Sequence, residues 1–326
     1  MAIKDYYPAS RPTLDLNFAG SRIVDPRVTF SRAGTATYFD EFGVMRTAPA
    51  NAPRIDFDPV TGECKGLLIE EQRTNLLTYS EQFDNAAWYK TNGTVTTNSI
   101  VAPDGTLTAD KFETSSGGSS YLYQGKTLTQ GQVYVLSAYV KHISGVGEFW
   151  LRDFTEAGIA SFNIINGMPL SSTGIASSPQ IVNFGNGWYR VSAVFTPTIA
   201  TANHNLSCPH PSSPLVGNAF YVWGAQLETG STPTGYIPTT SAQVTRAADT
   251  ASLSGANFSS WNNTTGTILA KYKKSGWQHN NTPPSTQLDL AKYIQDYNTP
   301  VVSDAIERVV FYPRQLTEVQ ISALKG

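Results

Sequence analysis

The chain has 326 residues, a formal net charge of −2 and 15% charged side chains. That length supports two or so domains with a sizeable core, and the near-neutral balance argues against a nucleic-acid binder, which would carry a basic stripe. No run approaches the ~18 apolar residues of a membrane span. Residues 1–8 show no apolar signal core, so a product of a cytoplasm, with no membrane insertion, is expected. Cys64 and Cys208 stand far apart in sequence and have no metal-type spacing; a pair of free, partly buried thiols is the expectation, with a single disulfide the alternative.

In chain order, residues 14–18, 28–31 and 36–39 alternate apolar and polar groups, and prolines 49, 53 and 59 interrupt the extended stretch that leads to residue 63. Strands so short make a weak core alone, so residues 1–65 read as an arm or partial sheet that packs on something else. From residue 66 the β signal is dense. Residues 132–141, 148–152, 159–164, 188–195 and 221–228 are β-branched or aromatic and separated by turn chemistry. In the last of these, Tyr221, Trp223, Ala225 and Leu227 alternate with smaller or polar groups, which places them on one face of a half-buried strand. Roughly eight strands at short spacing predict a sandwich or jelly roll over residues 66–240. Residues 235–249 read as a linker, and residues 276–285 as a mobile polar loop. Residues 267–272 and 306–312 are clear strands of a third block, 241–326. Thr317 as N-cap, Gln320 as its capping-box partner, and Leu316 with Ile321 at the staple positions predict a short C-terminal helix. The fold class is all-β.

Chemistry is sparse. The chain holds no phosphate loop, metalloprotease motif or nucleophile elbow. His204, Cys208 and His210 would suit a soft metal if they shared a strand face, although Pro209 argues against a regular strand there, and a polar strand end or loop is the ordinary reading. Asp56, Asp58 and Glu63 are candidates for a structural calcium, against the commoner role of capping turns. Glycoside hydrolysis needs two carboxylates held across a cleft. Glu70, Glu71, Asp153, Glu156 and Glu307 can be nominated, but nothing in the sequence pairs them, so no catalytic residue and no cofactor is expected. Aromatic residues are the remaining asset. Tyr121, Tyr123, Trp150 and Trp188 would form a stacking platform for sugar rings if they point outward, whereas most tryptophans of a sandwich are core.

Several stretches resemble a β-sandwich module of bacteriophage and prophage virion proteins. Residues 66–80 (GLLIEEQRTNLLTYS) look like its opening, and residues 102–106 (APDGT) with 109–111 (ADK) like its next element. Residues 185–191 (GNGWYRV), 223–228 (WGAQLE) and 236–239 (YIPT) look like its close, and 28–33 (VTFSRA) with 36–38 (ATY) like the segment that precedes it. The module is similar to carbohydrate-binding jelly rolls. Residues 250–326, notably 306–317 (IERVVFYPRQLT), resemble the end of a concanavalin-A-like sandwich at about half the needed length, so residues 14–30 are expected to complete it and the jelly roll to be an insertion. The resemblance implies a tail-fibre or tail-associated virion protein that binds host surface glycans without cleaving them. Its N-terminal arm, with Tyr6, Tyr7 and Arg11, would dock on other virion proteins, and the assembly would be a homotrimer. A capsid decoration or head-fibre protein is the nearest alternative. A polysaccharide depolymerase spike and a bacterial carbohydrate-binding module come after it.

Overall fold

The computed structural model describes residues 8, 11–115, 120–153, 155–199, 204–208, 217–258, 266–274, 276–281, 287–290 and 303–325. Two compact units emerge, the first formed by residues 1–42, 46–72 and 247–326, the second by 43–45 and 73–246. The division falls at 72/73 and 246/247, a few residues later than the sequence suggests, and both ends of the chain belong to one unit.

The first unit contains β1 (Leu14–Leu16), β2 (Thr29–Ser31), β3 (Ala36–Phe39), β4 (Met45–Ala48, all but Met45), β5 (Ile55–Phe57) and β6 (Cys64–Glu70) from the beginning of the chain. β1 lies antiparallel to β25 (Ser303–Tyr312), Leu14 opposite Phe311. Residues far apart in sequence therefore share one sheet, β23-β22-β25-β6-β5, where β22 is Thr267–Tyr272 and β23 is Gly276–Asn280. A smaller sheet joins β2 to β21 (Thr250–Ser254) and β24 (Gln287–Asp289). Leu14, Leu16, Leu67, Ile268, Ile306 and Phe311 of the large sheet and Ala251, Leu253 and Leu288 of the small one fill a common core. Residues 276–280, read as part of a mobile loop, are instead the edge strand β23, because their backbone continues the ladder from β22.

Two short helices accompany this unit, α1 (Phe18–Ser21) and α2 (Glu318–Lys325). α2 begins as its sequence dictates. The Gln320 amide donates to Thr317 Oγ1 at 3.3 Å, and Gln320 Oε1 accepts from the Thr317 amide at 3.2 Å. Leu316 and Ile321 pack with Leu269, Val310 and Tyr312 on the large sheet.

A buried charge cluster ties the unit's discontinuous segments. Asp249 accepts from Arg32 Nη1 at 3.0 Å, from Arg54 Nη2 at 2.5 Å and from the Glu70 amide at 2.8 Å. Arg54 also donates to Glu70 Oε2 at 2.7 Å, and these side chains are fully shielded from solvent. Burial lowers the Arg54 pKa and its two carboxylates raise it; the carboxylates prevail.

The second unit is the jelly-roll sandwich. Its strands are β7 (Arg73–Asn75), β8 (Tyr89–Thr91), β9 (Gly93–Ile100), β10 (Ala109–Thr114), β11 (Tyr121–Lys126), β12 (Tyr134–Ser144) and β13 (Glu148–Asp153). β14 (Gly158–Asn163), β15 (Met168–Thr173), β16 (Ala176–Asn183), β17 (Trp188–Phe195), β18 (His204–Cys208), β19 (Ala219–Thr229) and β20 (Val244–Arg246) complete it. One six-stranded sheet has the order β16-β17-β12-β19-β10-β9, the other β15-β14-β13-β18-β11-β8, and β7 pairs with β20 where the chain enters and leaves. Phe112, Leu136, Val140, Val191, Phe195, Phe220 and Val222 from the first sheet meet Leu122, Phe149, Leu151 and Phe162 from the second.

Strand β19 departs from simple alternation. Gly224 has φ +61°, and the β12 register shifts there, Ser137 opposite Gln226 but Tyr139 opposite Trp223. This bulge reverses the parity of the strand. Phe220 and Val222 face the inter-sheet core before it, and Ala225 and Leu227 after it. Tyr221 and Trp223 therefore do not share a face with Ala225 and Leu227. Trp223 packs instead on Tyr139 and Tyr236, and a Cβ on Gly224 would approach the Tyr139 ring to 3.0 Å.

Candidate functional site

The two sheets of the sandwich treat their outer faces differently. On the first sheet, the side of β12, β17 and β19 away from the core carries Ser137, Tyr139, Trp188, Arg190, Trp223, Gln226 and Glu228, and all are buried. Residues 234–237 shield it. Arg190 Nη1 donates to the Thr234 carbonyl at 2.6 Å, Gln226 Oε1 accepts from the Ile237 amide at 2.6 Å, and Glu228 accepts from the Thr234 amide and hydroxyl. Residues 235–249 are accordingly more than a linker: Tyr236, Ile237, Thr239, Arg246 and Asp249 are all buried, while residues 240–245 are exposed. Trp188, nominated for a sugar platform, is 4% exposed on this closed face and cannot stack on a ligand from there.

Asn75 fastens the same region. Its Nδ2 donates to the Ala225 and Ile237 carbonyls at 3.1 and 2.9 Å, and its Oδ1 accepts from the Leu77 and Leu227 amides, both at 3.1 Å. Nearby, Tyr236 Oη lies 2.6 Å from Ser80 Oγ and donates to Glu81 Oε1 at 2.9 Å. Burial, reinforced by the Glu81 charge, lifts the Tyr236 pKa well above the ordinary phenol value, and burial raises that of Glu81 too.

The outer face of the second sheet is open. Alternation on β11 puts Leu122 in the core and Tyr121 and Tyr123 outside; on β13, Phe149 and Leu151 face inward and Glu148, Trp150 and Arg152 outward. Ladder registers through β18 bring these into two rows. Tyr123 and Arg152 both stand opposite Ser207, and Tyr89 of β8 stands opposite Tyr123. Two residues back along their strands lie Tyr121 and Trp150, on strands two apart, or roughly 10 Å. The Tyr89 and Tyr123 rings stack, centroids 5.0 Å apart at 17°, and Tyr121 leans on Tyr123 at 5.8 Å. Trp150 Nε1 donates to Glu148 Oε1 at 2.6 Å, which orients the indole along its own strand. Tyr89 is 60% exposed, and Tyr121, Tyr123, Trp150 and Arg152 are half-buried.

Three of the four nominated aromatics are thus brought onto one face. Tyr89 and Arg152 belong with them and were not singled out from sequence. Their signal was parity: once Leu122 and Leu151 are assigned to the core, Tyr121, Tyr123 and Arg152 must point away from it.

Other nominated groups are occupied by structural tasks. Asp58 accepts from the Val60 and Thr61 amides, and Asp56 from the Phe39 amide and Lys65. Glu70 pairs with Arg54, Asp153 caps the Thr155 amide, Glu156 accepts from Thr198, and Glu307 pairs with Lys271 at 2.6 Å. A polar cleft of about 370 Å³ is lined by residues including Glu81, Asp84, Asn85, Asn98 and Asp110. Its acids also hold backbone: Asp110 accepts from the Phe83 and Asn98 amides, both at 2.9 Å. The β18 backbone includes residues 204 and 208, but their side chains and residue 210 lie outside the described residues, as do Tyr6 and Tyr7; Arg11 is exposed. Cys64 is a free, half-buried thiol.

No family model matches the chain, and no curated protein matches it. Among solved structures it is similar to the CBM22-1–GH10 modules of Clostridium thermocellum endo-1,4-β-D-xylanase 10B complexed with xylohexaose, at 19% identity and TM-score 0.31, over 50% of this chain and 29% of that one. It is also similar to the enzymatically active domain of bacteriophage CBA120 tailspike protein 4, at 15% identity and TM-score 0.31, over 48% of this chain and 21% of that one. A third likeness is to the CBM22-1 xylan-binding domain of Paenibacillus barcinonensis, at 13% identity and TM-score 0.30, over 49% of this chain and 96% of that one. The chain spans less than a third of the first two structures, and likenesses this distant carry no argument about ligand or role.

Proposed function

We propose that the chain is a phage virion protein of the tail-fibre or tail-associated type, whose jelly roll binds a host surface glycan on the open outer face and does not cleave it. The observation that carries the binding reading is the grouping of Tyr89, Tyr121, Tyr123 and Trp150 on one solvent-facing side of a rigid sheet. Flat rings on a fixed surface stack on the apolar faces of sugars, and neighbouring polar groups bond their hydroxyls. The non-cleaving reading is supported by the carboxylates. Among the described outward positions of β8, β11, β13 and β14, Glu148 is the single one, and hydrolysis needs two. Virion origin and trimeric state rest on the sequence resemblance.

A glycan array probed with the intact protein tests this reading, with reducing-end release measured on every hit. Binding without release is expected, and Tyr121→Ala or Trp150→Ala should abolish it. Binding that survives both substitutions, or new reducing ends, would overturn it. Localising the chain on assembled particles by cryo-electron microscopy separates a tail protein from a capsid decoration.

A further inference from the structure

The open face continues beyond Trp150 onto β14 and β15. Ala160 and Phe162 point into the core, so Ser161 and Asn163 share the outer side with Glu148 and Trp150. The ladder sets Glu148 opposite Asn163 and Trp150 opposite Ser161, and the next strand adds Met168 beside Asn163 and Ser171 beside Ser161. Directly opposed side chains of an antiparallel pair start about 5 Å apart. A carboxylate and a primary amide therefore stand side by side next to the indole.

Each of these two groups is held at one atom and open at the other. Glu148 Oε1 accepts from Trp150 Nε1 at 2.6 Å. Asn163 Oδ1 accepts from the Ile165 and Asn166 amides, both at 3.0 Å, which fixes its carbonyl on the turn and directs its NH2 group away from it. Glu148 Oε2 and Asn163 Nδ2 have no hydrogen-bond partner among the described residues. Around them β14 and β15 carry no charged side chain, and Met168, 58% exposed, adds an apolar border.

We infer that the sugar residue stacked on Trp150 is uncharged and is read through two vicinal hydroxyls, one donating to Glu148 and the other accepting from Asn163. The inference rests on the glycan-platform reading of this face. A hydroxyl both donates and accepts, so neighbouring sugar hydroxyls match a fixed acceptor beside a fixed donor, and a carboxylate acceptor strengthens its bond. A sugar carboxylate in the same place would face Glu148 with no hydrogen to share, and the two like charges would repel. The pair thus selects for hydroxyls and against acids.

The test uses the intact chain and calorimetric titration with hexamers of β-1,4-glucose, β-1,4-mannose and β-1,4-galactose, each paired with its form oxidised to the uronate at C6. At least one neutral probe should bind, and its oxidised partner about tenfold more weakly or not at all. Glu148→Gln keeps an acceptor for the indole and removes the charge, whereas Asn163→Asp keeps the acceptor on the turn and removes the donor. Each should lower affinity for the neutral probe about tenfold with the thermal transition in place, and Glu148→Gln should also narrow the gap between the two forms. An oxidised probe that binds as tightly as its neutral partner, or either variant binding as wild type does, would overturn this assignment, while loss of binding in Trp150→Ala would leave the platform standing. Wild-type protein that binds none of the probes would overturn the platform and the assignment together.

Discussion

The sandwich has one sealed outer face and one open one, and both are rich in aromatic residues. On the sealed face, Tyr139 and Trp223 pack against Tyr236, Trp188 is buried beside them on the same sheet, and most polar groups nearby have a named partner. On the open face, Tyr89, Tyr121 and Tyr123 touch one another, Trp150 stands on the same side two strands away, and all four are at least partly exposed. The difference shows what the stretches that carry the virion-module resemblance encode. Asn75, Ser80, Arg190, Gln226, Glu228 and Tyr236 all fall in those stretches, and all lock the closed face. The proposed ligand contacts lie outside them. The recognisable residues hold the scaffold, and the residues proposed to meet a ligand carry no such mark.

The largest effects should come from breaking the locks. In the first unit, Asp249→Ala removes the carboxylate shared by the buried Arg32 and Arg54. A loss of about 3–5 kcal/mol in unfolding free energy is expected, measured by urea denaturation. A loss below about 1 kcal/mol would mean that the cluster is dispensable. Asn75→Ala comes next. It strands two carbonyls and two amides that one side chain now satisfies, at a cost of about 3 kcal/mol. Glycan affinity of the protein that remains folded should not change, and a parallel loss of affinity would refute the separation of lock from platform.

The open face should respond the other way round. Trp150→Ala and Tyr121→Ala should lower glycan affinity at least tenfold, about 1.4 kcal/mol. Their stability should change by less than about 1 kcal/mol, since half-exposed rings give up little buried area. Titration calorimetry and denaturation on the same samples separate the two quantities. Trp188→Phe is the control: a sealed ring should cost stability and leave binding alone.

How much of this was readable from the chain depended on the range of the interaction. The capping box of α2 was legible because Thr317, Gln320, Leu316 and Ile321 act within one turn. The outward grouping of Tyr121, Tyr123 and Trp150 was half legible: alternation fixes their side of each strand, but only the β11–β18–β13 ladder makes them neighbours. Two features were hidden. The bulge at Gly224 moves Trp223 to the opposite face from Leu227, and a plain period-two reading has no place for an extra residue. Residues 235–249 have the composition of a linker, yet Tyr236, Arg246 and Asp249 are buried, because their partners lie more than a hundred residues away or across a tight return.

The smallest predicted effect is a pH dependence that reaches the sealed side through Glu81. Burial raises the pKa of Glu81 above 4.5, opposed by the hydrogen bond from Tyr236, and burial raises that of Asp110 above 3.8. A carboxyl group with a raised folded-state pKa keeps its proton longer in the native chain than in the unfolded one. Its contribution to stability is therefore fully present below the unfolded value and declines as pH rises from there through the folded value. Asp25 and Asp58, whose pKa values are lowered in the fold, act with the opposite sign, so the informative quantity is a difference between variants. Glu81→Gln keeps an acceptor for the Tyr236 hydroxyl and removes the titration. Urea unfolding across a pH series should show the variant gaining on wild type as pH rises above about 4.5, and the Trp150→Ala profile running parallel to wild type. Parallel profiles for Glu81→Gln would mean that Glu81 is solvated in the native chain, and the sealed face would then be open at the corner where Tyr236 closes it.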